Sequence, residues 1–250
     1  MSIESVYVSP DGAGDGPTRE VCDRAHERGA RLFPLAPGVL EKVADTVTPQ
    51  PVLAVLPMLN DPPPFEPDPW SLLVVMVDVR DPGNAGTVLR AADASGCQGV
   101  VFGGDSVDPY NPKTVRSSAG SLFHVPFVVR NDGVSMALEL AGAGFRTLGT
   151  GVRAGDDYAG LDWSVPTALF LGNESSGLDP ALTDTCSGSV AIPMAGRAES
   201  LNVGVACAVL CFEALRQRRA GSSAAPTISK NPSATPPEHR RGGAQGTSTW

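Results

Sequence analysis

Leu72-Leu-Val-Val-Met-Val-Asp-Val-Arg-Asp-Pro-Gly-Asn-Ala-Gly-Thr-Val-Leu-Arg90 begins as an uninterrupted apolar run, turns at Asp81-Pro-Gly and continues into a helical pattern. A strand whose residues are all apolar is covered on both faces, which is the signature of a parallel sheet between helices. The same unit recurs downstream. Strand patterns fall at Leu72–Val77, Gly99–Phe102, Phe127–Arg130, Arg146–Gly149, Ala168–Leu171 and Ser189–Ile192. Helical patterns lie between them at Ala85–Ser95, Lys113–Ser121, Val134–Ala143 and Pro180–Cys186, and a long helix over Leu201–Arg218 follows the last strand. Alternation of this kind predicts an α/β fold with a mostly parallel sheet over residues 71–219.

Outward from this body the composition changes. Residues 1–58 hold a helical stretch at Thr18–Arg28, closed by Gly29, and an apolar segment at Val52–Leu56. Residues 59–70 carry five prolines and read as an extended, semi-rigid linker, since proline fixes φ and removes a donor. Residues 220–250 are rich in Ser, Pro, Gly and Thr and nearly devoid of large apolar groups, so they are expected to be disordered.

Hydrophobic residues make up 42% of the 250, enough for a sizeable core. The longest strongly apolar run, Leu72–Val77, is far short of the roughly 20 residues needed to cross a bilayer. The first ten residues lack the basic start and apolar stretch of a secretory signal, so no membrane association and a cytoplasmic location are expected. Five cysteines occur without a CxxC pair; Cys207 and Cys211 are set among small apolar residues, which favours core thiols over metal ligands, and no metal is expected. A net charge of −8 disfavours a broadly basic surface and confines any contact with nucleic-acid phosphate to a local patch.

Three segments carry the chemistry. In the first, Asn84 reads as the N-cap of the helix, and Gly86 lies four residues before Arg90 on the same helical face, leaving room around the guanidinium. A bland alternative is equally open: Asn84 only caps, and Arg90 pairs with Asp93. The second, Leu169-Phe-Leu-Gly-Asn-Glu-Ser-Ser-Gly-Leu178, ends a strand at Gly172 and carries Glu174 in a glycine-flanked turn. It lacks the Lys-Ser/Thr of a phosphate-binding loop, and no dinucleotide fingerprint is present. In the third, Ile192-Pro-Met-Ala-Gly-Arg-Ala-Glu-Ser-Leu-Asn-Val203, either Ser200 or Asn202 can cap the last helix. Capping does not account for Glu199, Ser200 and Asn202 together, and an apolar, glycine-containing loop with a few polar groups suits a ligand with a hydrophobic ring and a charged end.

Taken in order, Asn84-x-Gly-x-x-x-Arg90, Gly172-x-Glu174-x-x-Gly177 and Ile192-Pro-Met through Ser200-Leu-Asn-Val resemble the three motifs of the SpoU/TrmH ribose 2′-O-methyltransferases, in the SPOUT superfamily. The likeness spans about residues 71–218. It implies a deep trefoil knot at the C-terminal end of the catalytic domain, S-adenosylmethionine as cofactor, and a homodimer whose active sites are completed across the interface. By the same resemblance Gly172, Ile192 and Leu201 hold the cofactor through backbone groups beside Thr150, Gly151, Leu171 and Met194. Arg90, Asn84, Glu174, Ser200 and Asn202 form the catalytic set. Asp108-Pro-Tyr-Asn-Pro-Lys-Thr-Val-Arg-Ser-Ser-Ala-Gly120 also looks like the family. Lys113 and Arg116 in it are candidates for RNA phosphate, with ordinary solvated charge as the alternative. Residues 1–58, through Leu32–Val55, resemble the later part of the family's small N-terminal α/β domain, itself like some RNA-binding ribosomal proteins, and that domain is expected to be shortened.

The implied reaction is attack of an RNA ribose 2′-hydroxyl on the sulfonium methyl, most naturally in ribosomal RNA. A hydroxyl is a weak nucleophile and needs a base or a positioning group. Arginine is a poor base, so phosphate clamping and orientation are the larger expected contributions of Arg90. Alternatives at this point are a transfer-RNA 2′-O-methyltransferase, a methyltransferase acting on a base nitrogen, and a non-catalytic RNA-binding protein that retains the fold.

Overall fold

The computed structural model describes residues 2–14, 16–44, 46, 48–59, 64–151 and 155–221. The region predicted to be a disordered tail lies, from residue 222 onward, outside the described residues, as do positions 60–63 of the proline-rich segment.

Two sheets organise the chain. Near the N-terminus, β1 (Ser5–Val8) pairs in parallel with β2 (Arg31–Pro34) and antiparallel with β3 (Val52–Val55), giving the order β2-β1-β3. Helices α1 (Pro17–Glu27) and α2 (Val39–Val43) lie between these strands in sequence. Val6 packs with Cys22 and Ala25 of α1, and Leu32, Val8 and Val52 border the same small core. The sequence pattern anticipated α1 and marked Val52–Leu56 as an apolar segment, most of which forms β3. It missed β1 and β2, which have four residues each and only one buried large apolar side chain between them, Val6.

The larger sheet contains β4 (Leu72–Val77), β5 (Gly99–Gly103), β6 (Phe127–Arg130), β7 (Arg146–Thr150), β8 (Asp156–Asp157), β9 (Thr167–Leu171) and β10 (Gly188–Ala191). Their order is β6-β5-β4-β9-β7-β10-β8, and all six pairings are parallel. β8 was not anticipated, because two exposed aspartates carry no strand pattern. Connecting helices are α3 (Pro82–Ser95), α4 (Pro112–Ser117), α5 (Gly133–Ala143), α6 (Pro180–Thr185) and α7 (Val203–Gly221). No helix among the described residues is long and apolar enough to cross a membrane.

The continuous apolar run of β4 hides a period of two. Leu72, Val74 and Met76 pack with Val88 and Leu89 of α3 and Leu210 of α7. Leu73, Val75 and Val77 face the opposite way, onto Met136, Ala137 and Leu140 of α5 and Leu182 of α6. Successive side chains point to opposite faces of a strand, and here both faces are dry. Every residue of β4 is at most 6% exposed, so a polar replacement anywhere along it buries an unpaired group.

The chain visits β4, β5 and β6 on one side of the sheet, then crosses to β7 and β9 on the other. That reversal places a switch point beside β4, and in open parallel sheets the crevice beyond the carboxyl ends of the strands at such a point is where ligands bind. The proline-rich segment is docked where it is described: Phe65 packs against the core, and Gln98 Nε2 donates to the Glu66 carbonyl at 2.8 Å.

Candidate functional site

A cavity of about 420 Å³ opens at the C-terminal ends of β7, β9 and β10. All seven residues expected to hold a cofactor line it: Thr150, Gly151, Leu171, Gly172, Ile192, Met194 and Leu201. So do Glu174, Ser200 and Asn202 of the expected catalytic set. Arg90 and Asn84 do not.

Parallel pairing of β10 with β7 ends with Val190 opposite Thr150, and Gly151 N donates to the Val190 carbonyl at 3.0 Å, so the two strand ends enter the site side by side. β9 supplies Leu171 and then Gly172. A Cβ on Gly172 would overlap the Gly177 carbonyl carbon and the Leu178 nitrogen, so only glycine lets the following turn fold back this tightly. That turn is closed by two backbone bonds between Asn173 and Gly177, at 3.0 and 2.9 Å, with Gly177 at φ +70°.

Asn173, which the sequence reading passed over, is the keystone of this turn. Its Oδ1 accepts from Ser175 N at 2.9 Å and Ser176 N at 3.2 Å, while its Nδ2 donates to the Asp78 carbonyl at 2.8 Å. Asp78, at the end of β4, sits at φ +58° and accepts from Asp105 N through Oδ1 at 2.7 Å. Aspartate is among the few non-glycine residues that enter the left-handed region readily. A turn-forming Asn next to glycine was visible in the sequence, but its long-range partner was not.

Asn84 departs from its expected role. Asp81 caps α3, accepting from Asn84 N at 2.8 Å, and Pro82 occupies the first helical position. The helix therefore begins three residues before Ala85, because Asp-Pro is a stronger start signal than Asn84. Freed from capping, the Asn84 side chain bridges the other two motifs. Its Nδ2 donates to Glu174 Oε1 at 2.9 Å, and its Oδ1 accepts from Asn202 Nδ2 at 2.7 Å. Asn202 in turn caps α7, its Oδ1 accepting from Gly204 N at 2.9 Å and Val205 N at 3.3 Å.

This chain of bonds has one direction. Helix amides at the start of α7 require the oxygen of Asn202, which turns its NH2 toward Asn84 and leaves the NH2 of Asn84 for the carboxylate of Glu174. Each amide orientation is thus dictated by its neighbours, and residues 84, 174 and 202 are fastened into one unit.

Gly86 also corrects an expectation. Rather than leaving space around Arg90, it is buried, and a Cβ there would collide with Ser117 of α4. Ser117 Oγ donates to the Pro82 carbonyl at 2.8 Å across the same contact. The glycine lets α3 and α4 approach. Arg90 itself is exposed, and the alternative pairing with Asp93 is absent, since Asp93 Oδ2 lies 3.2 Å from His124 Nδ1. Lys113 Nζ is 3.7 Å from Asp81 Oδ2, so this expected RNA contact is partly balanced by the cap of α3. Arg116 lies in the last turn of the same short helix, α4.

No cysteine is among the described residues that line the cavity. Burial pushes the Cys186 thiol, beside Gly149, up to about 11. The sulfurs of Cys97 and Cys211 are 3.8 Å apart; Cys97 is pushed well above the usual thiol value chiefly by its contact with Cys211 and by burial, and Cys211 chiefly by its contact with Cys207 and by burial. Among the described residues no group of three or more His, Cys, Asp or Glu is arranged to hold a metal ion.

The signature of the SpoU rRNA Methylase family matches residues 71–212. A 23S rRNA (guanosine(2553)-2′-O)-methyltransferase of Bacillus subtilis is 40% identical over 187 residues, covering 74% of this chain and 73% of the relative. Among solved structures, an AdoMet-bound rRNA methyltransferase from Sinorhizobium meliloti superposes with a TM-score of 0.74 at 30% identity, covering 86% of this chain and 80% of that one. AviRb, a SpoU methyltransferase of Streptomyces viridochromogenes solved with AdoMet, gives 0.73 at 33% identity, over 88% of this chain and 84% of that one.

Proposed function

The chain belongs to the SpoU rRNA methylase family, and on that premise we propose that it transfers a methyl group from S-adenosylmethionine to a ribose 2′-hydroxyl of ribosomal RNA. The observation that carries this reading is the Asn202–Asn84–Glu174 chain, which fastens three separate motif segments together at the mouth of the glycine-lined cavity. The residues fit the cofactor. A volume of about 420 Å³ suits a nucleoside-sized ligand, Leu171, Ile192, Met194 and Leu201 offer apolar walls to a purine, and Gly172 permits the tight turn whose residues 173–177 line one side.

When bound, the cofactor supplies an electrophilic methyl on a sulfonium. Thr150, Gly151, Leu171, Gly172, Ile192, Met194 and Leu201 hold it, largely through backbone groups. Glu174, kept in one orientation by Asn84, together with Ser200 and Asn202, shapes the place where the ribose enters. Arg90 clamps RNA phosphate and orients the hydroxyl, work for which a permanently charged fork is suited. Lys113 and Arg116 add phosphate contacts that carry no sequence code.

Arg90 does not line the cavity of its own chain, which supports a homodimer in which a second copy completes each site. Val205 and Phe212, each 47% exposed and seven residues apart on α7, form an apolar stripe suited to burial by such a copy. We further propose that the C-terminal part of residues 71–219 is tied as a deep trefoil knot; the order β9-β7-β10 and the packing of α7 back onto α3 support it. Residues 1–58 serve as an RNA-capture unit, joined through the 59–70 segment, and the protein works in the cytoplasm. The test is incubation with ribosomal RNA and labelled S-adenosylmethionine, followed by nuclease digestion and mass spectrometry. A methyl group on the ribose is the expected result; a methyl group on a base nitrogen, or none, overturns the reading.

A further inference from the structure

The described residues lining the cavity carry two carboxylates, Glu174 and Glu199, and no Lys, Arg or His. Their situations differ. Glu174 accepts a hydrogen bond from Asn84 and belongs to the fastened unit. Glu199 is exposed at the cavity rim on the loop between β10 and α7, and no ion pair or hydrogen bond engages its carboxylate among the described residues. Arg197, the nearest cation in sequence, is outside the lining and makes no ion pair with it. Among the described residues, an unpaired carboxylate therefore sits at the rim of a cavity whose other lining side chains, Glu174 apart, are neutral.

We propose that Glu199 is a specificity-determining residue that makes the cavity hold the cationic cofactor in preference to the neutral-sulfur product; this rests on the reading of the site as a methyl-donor pocket. Transfer breaks the S–CH3 bond with its electron pair remaining on sulfur, forms the O–CH3 bond and releases the hydroxyl proton to solvent. Sulfur thereby passes from cation to neutral thioether. Donor and product otherwise share the same adenosine, amino and carboxylate groups, so a hydrophobic cradle alone separates them only by one methyl. A carboxylate on the cavity rim adds an attraction to the sulfonium charge that vanishes on transfer, so the product is held less tightly as soon as it forms. Glu174 cannot be varied for this purpose without loosening Asn84 and Asn202.

Opposite unit charges at the rim of a cavity, where the medium lies between water and protein, are worth on the order of tenfold in affinity. Titration calorimetry with S-adenosylmethionine, the amine analogue sinefungin and S-adenosylhomocysteine, on the wild type and on Glu199→Gln, reads this directly. In the variant, both cationic ligands are expected to weaken about tenfold while S-adenosylhomocysteine changes less than twofold. Raising ionic strength from about 0.05 to 0.5 M should shrink the preference in the wild type and leave the variant unmoved. An unchanged preference overturns the inference, as does equal weakening of all three ligands, which marks a packing role. Failure of the wild type to bind S-adenosylmethionine overturns the functional reading itself, whatever the variant does.

Discussion

Asn202 divides one amide between two tasks: its oxygen caps α7 and its nitrogen donates to Asn84. The tasks can be separated. Asp caps a helix about as well as Asn, so Asn202→Asp should keep the stability of the wild type to within about 0.5 kcal/mol in urea denaturation. It loses the donor, however, and sets a carboxylate against the Asn84 oxygen, so methylation should fall at least about tenfold. Asn202→Ala loses both functions and costs roughly 1 kcal/mol as well. Retained activity in Asn202→Asp shows that the bonded chain is not needed. Arg90 gives the converse case, since it is not itself part of the cavity lining. Arg90→Ala should lower methylation by about 100-fold or more while calorimetry finds cofactor affinity within about twofold of the wild type.

At the scale of elements, glycine does two different jobs, and the sequence alone does not tell them apart. Gly86 lets α4 approach α3, whereas Gly172 lets a turn fold back beneath the cavity. Gly172→Ala forces the Gly177–Leu178 backbone to move; overpacking of this kind costs about 1–3 kcal/mol, and the displaced turn should weaken S-adenosylmethionine binding by about tenfold in calorimetry. Unchanged affinity would mean that the turn does not shape the pocket. The main strands and helices of the large sheet were legible because β4, β5 and β9 are nearly continuous apolar runs. Helix starts were less so. Asn84 looked like a cap in isolation, and only the Asp81–Asn84 bond shows that the helix began earlier and released the side chain for Glu174. The small N-terminal strands escaped notice because their burial is slight and their pairing joins residues some 25 to 50 positions apart.

For the molecule as a whole, the proposed dimer rests on the apolar stripe on α7 and the exposed Arg90. Phe212→Asp should convert the proposed dimer to a monomer, weakening self-association by at least about 100-fold in light scattering, since a charge would enter the apolar stripe. Methylation should fall with it, while cofactor affinity stays within severalfold of the wild type, since the cavity is lined by residues of one chain. A fully active monomer would refute the shared site. What the sequence by itself determined was the periodic part: an α/β body with a parallel sheet, the strand ends that carry the three motif segments, and, through the resemblance, residues that line the cavity. Those features are local or short in range, so apolar patterning and motif spacing record them. The tertiary structure decided which polar atoms meet. Asn84, Glu174 and Asn202 are separated by 90 and 118 positions, measured from Asn84. No pattern along a chain encodes the direction of an amide dipole whose partners arrive only when β4, β9 and α7 are packed together.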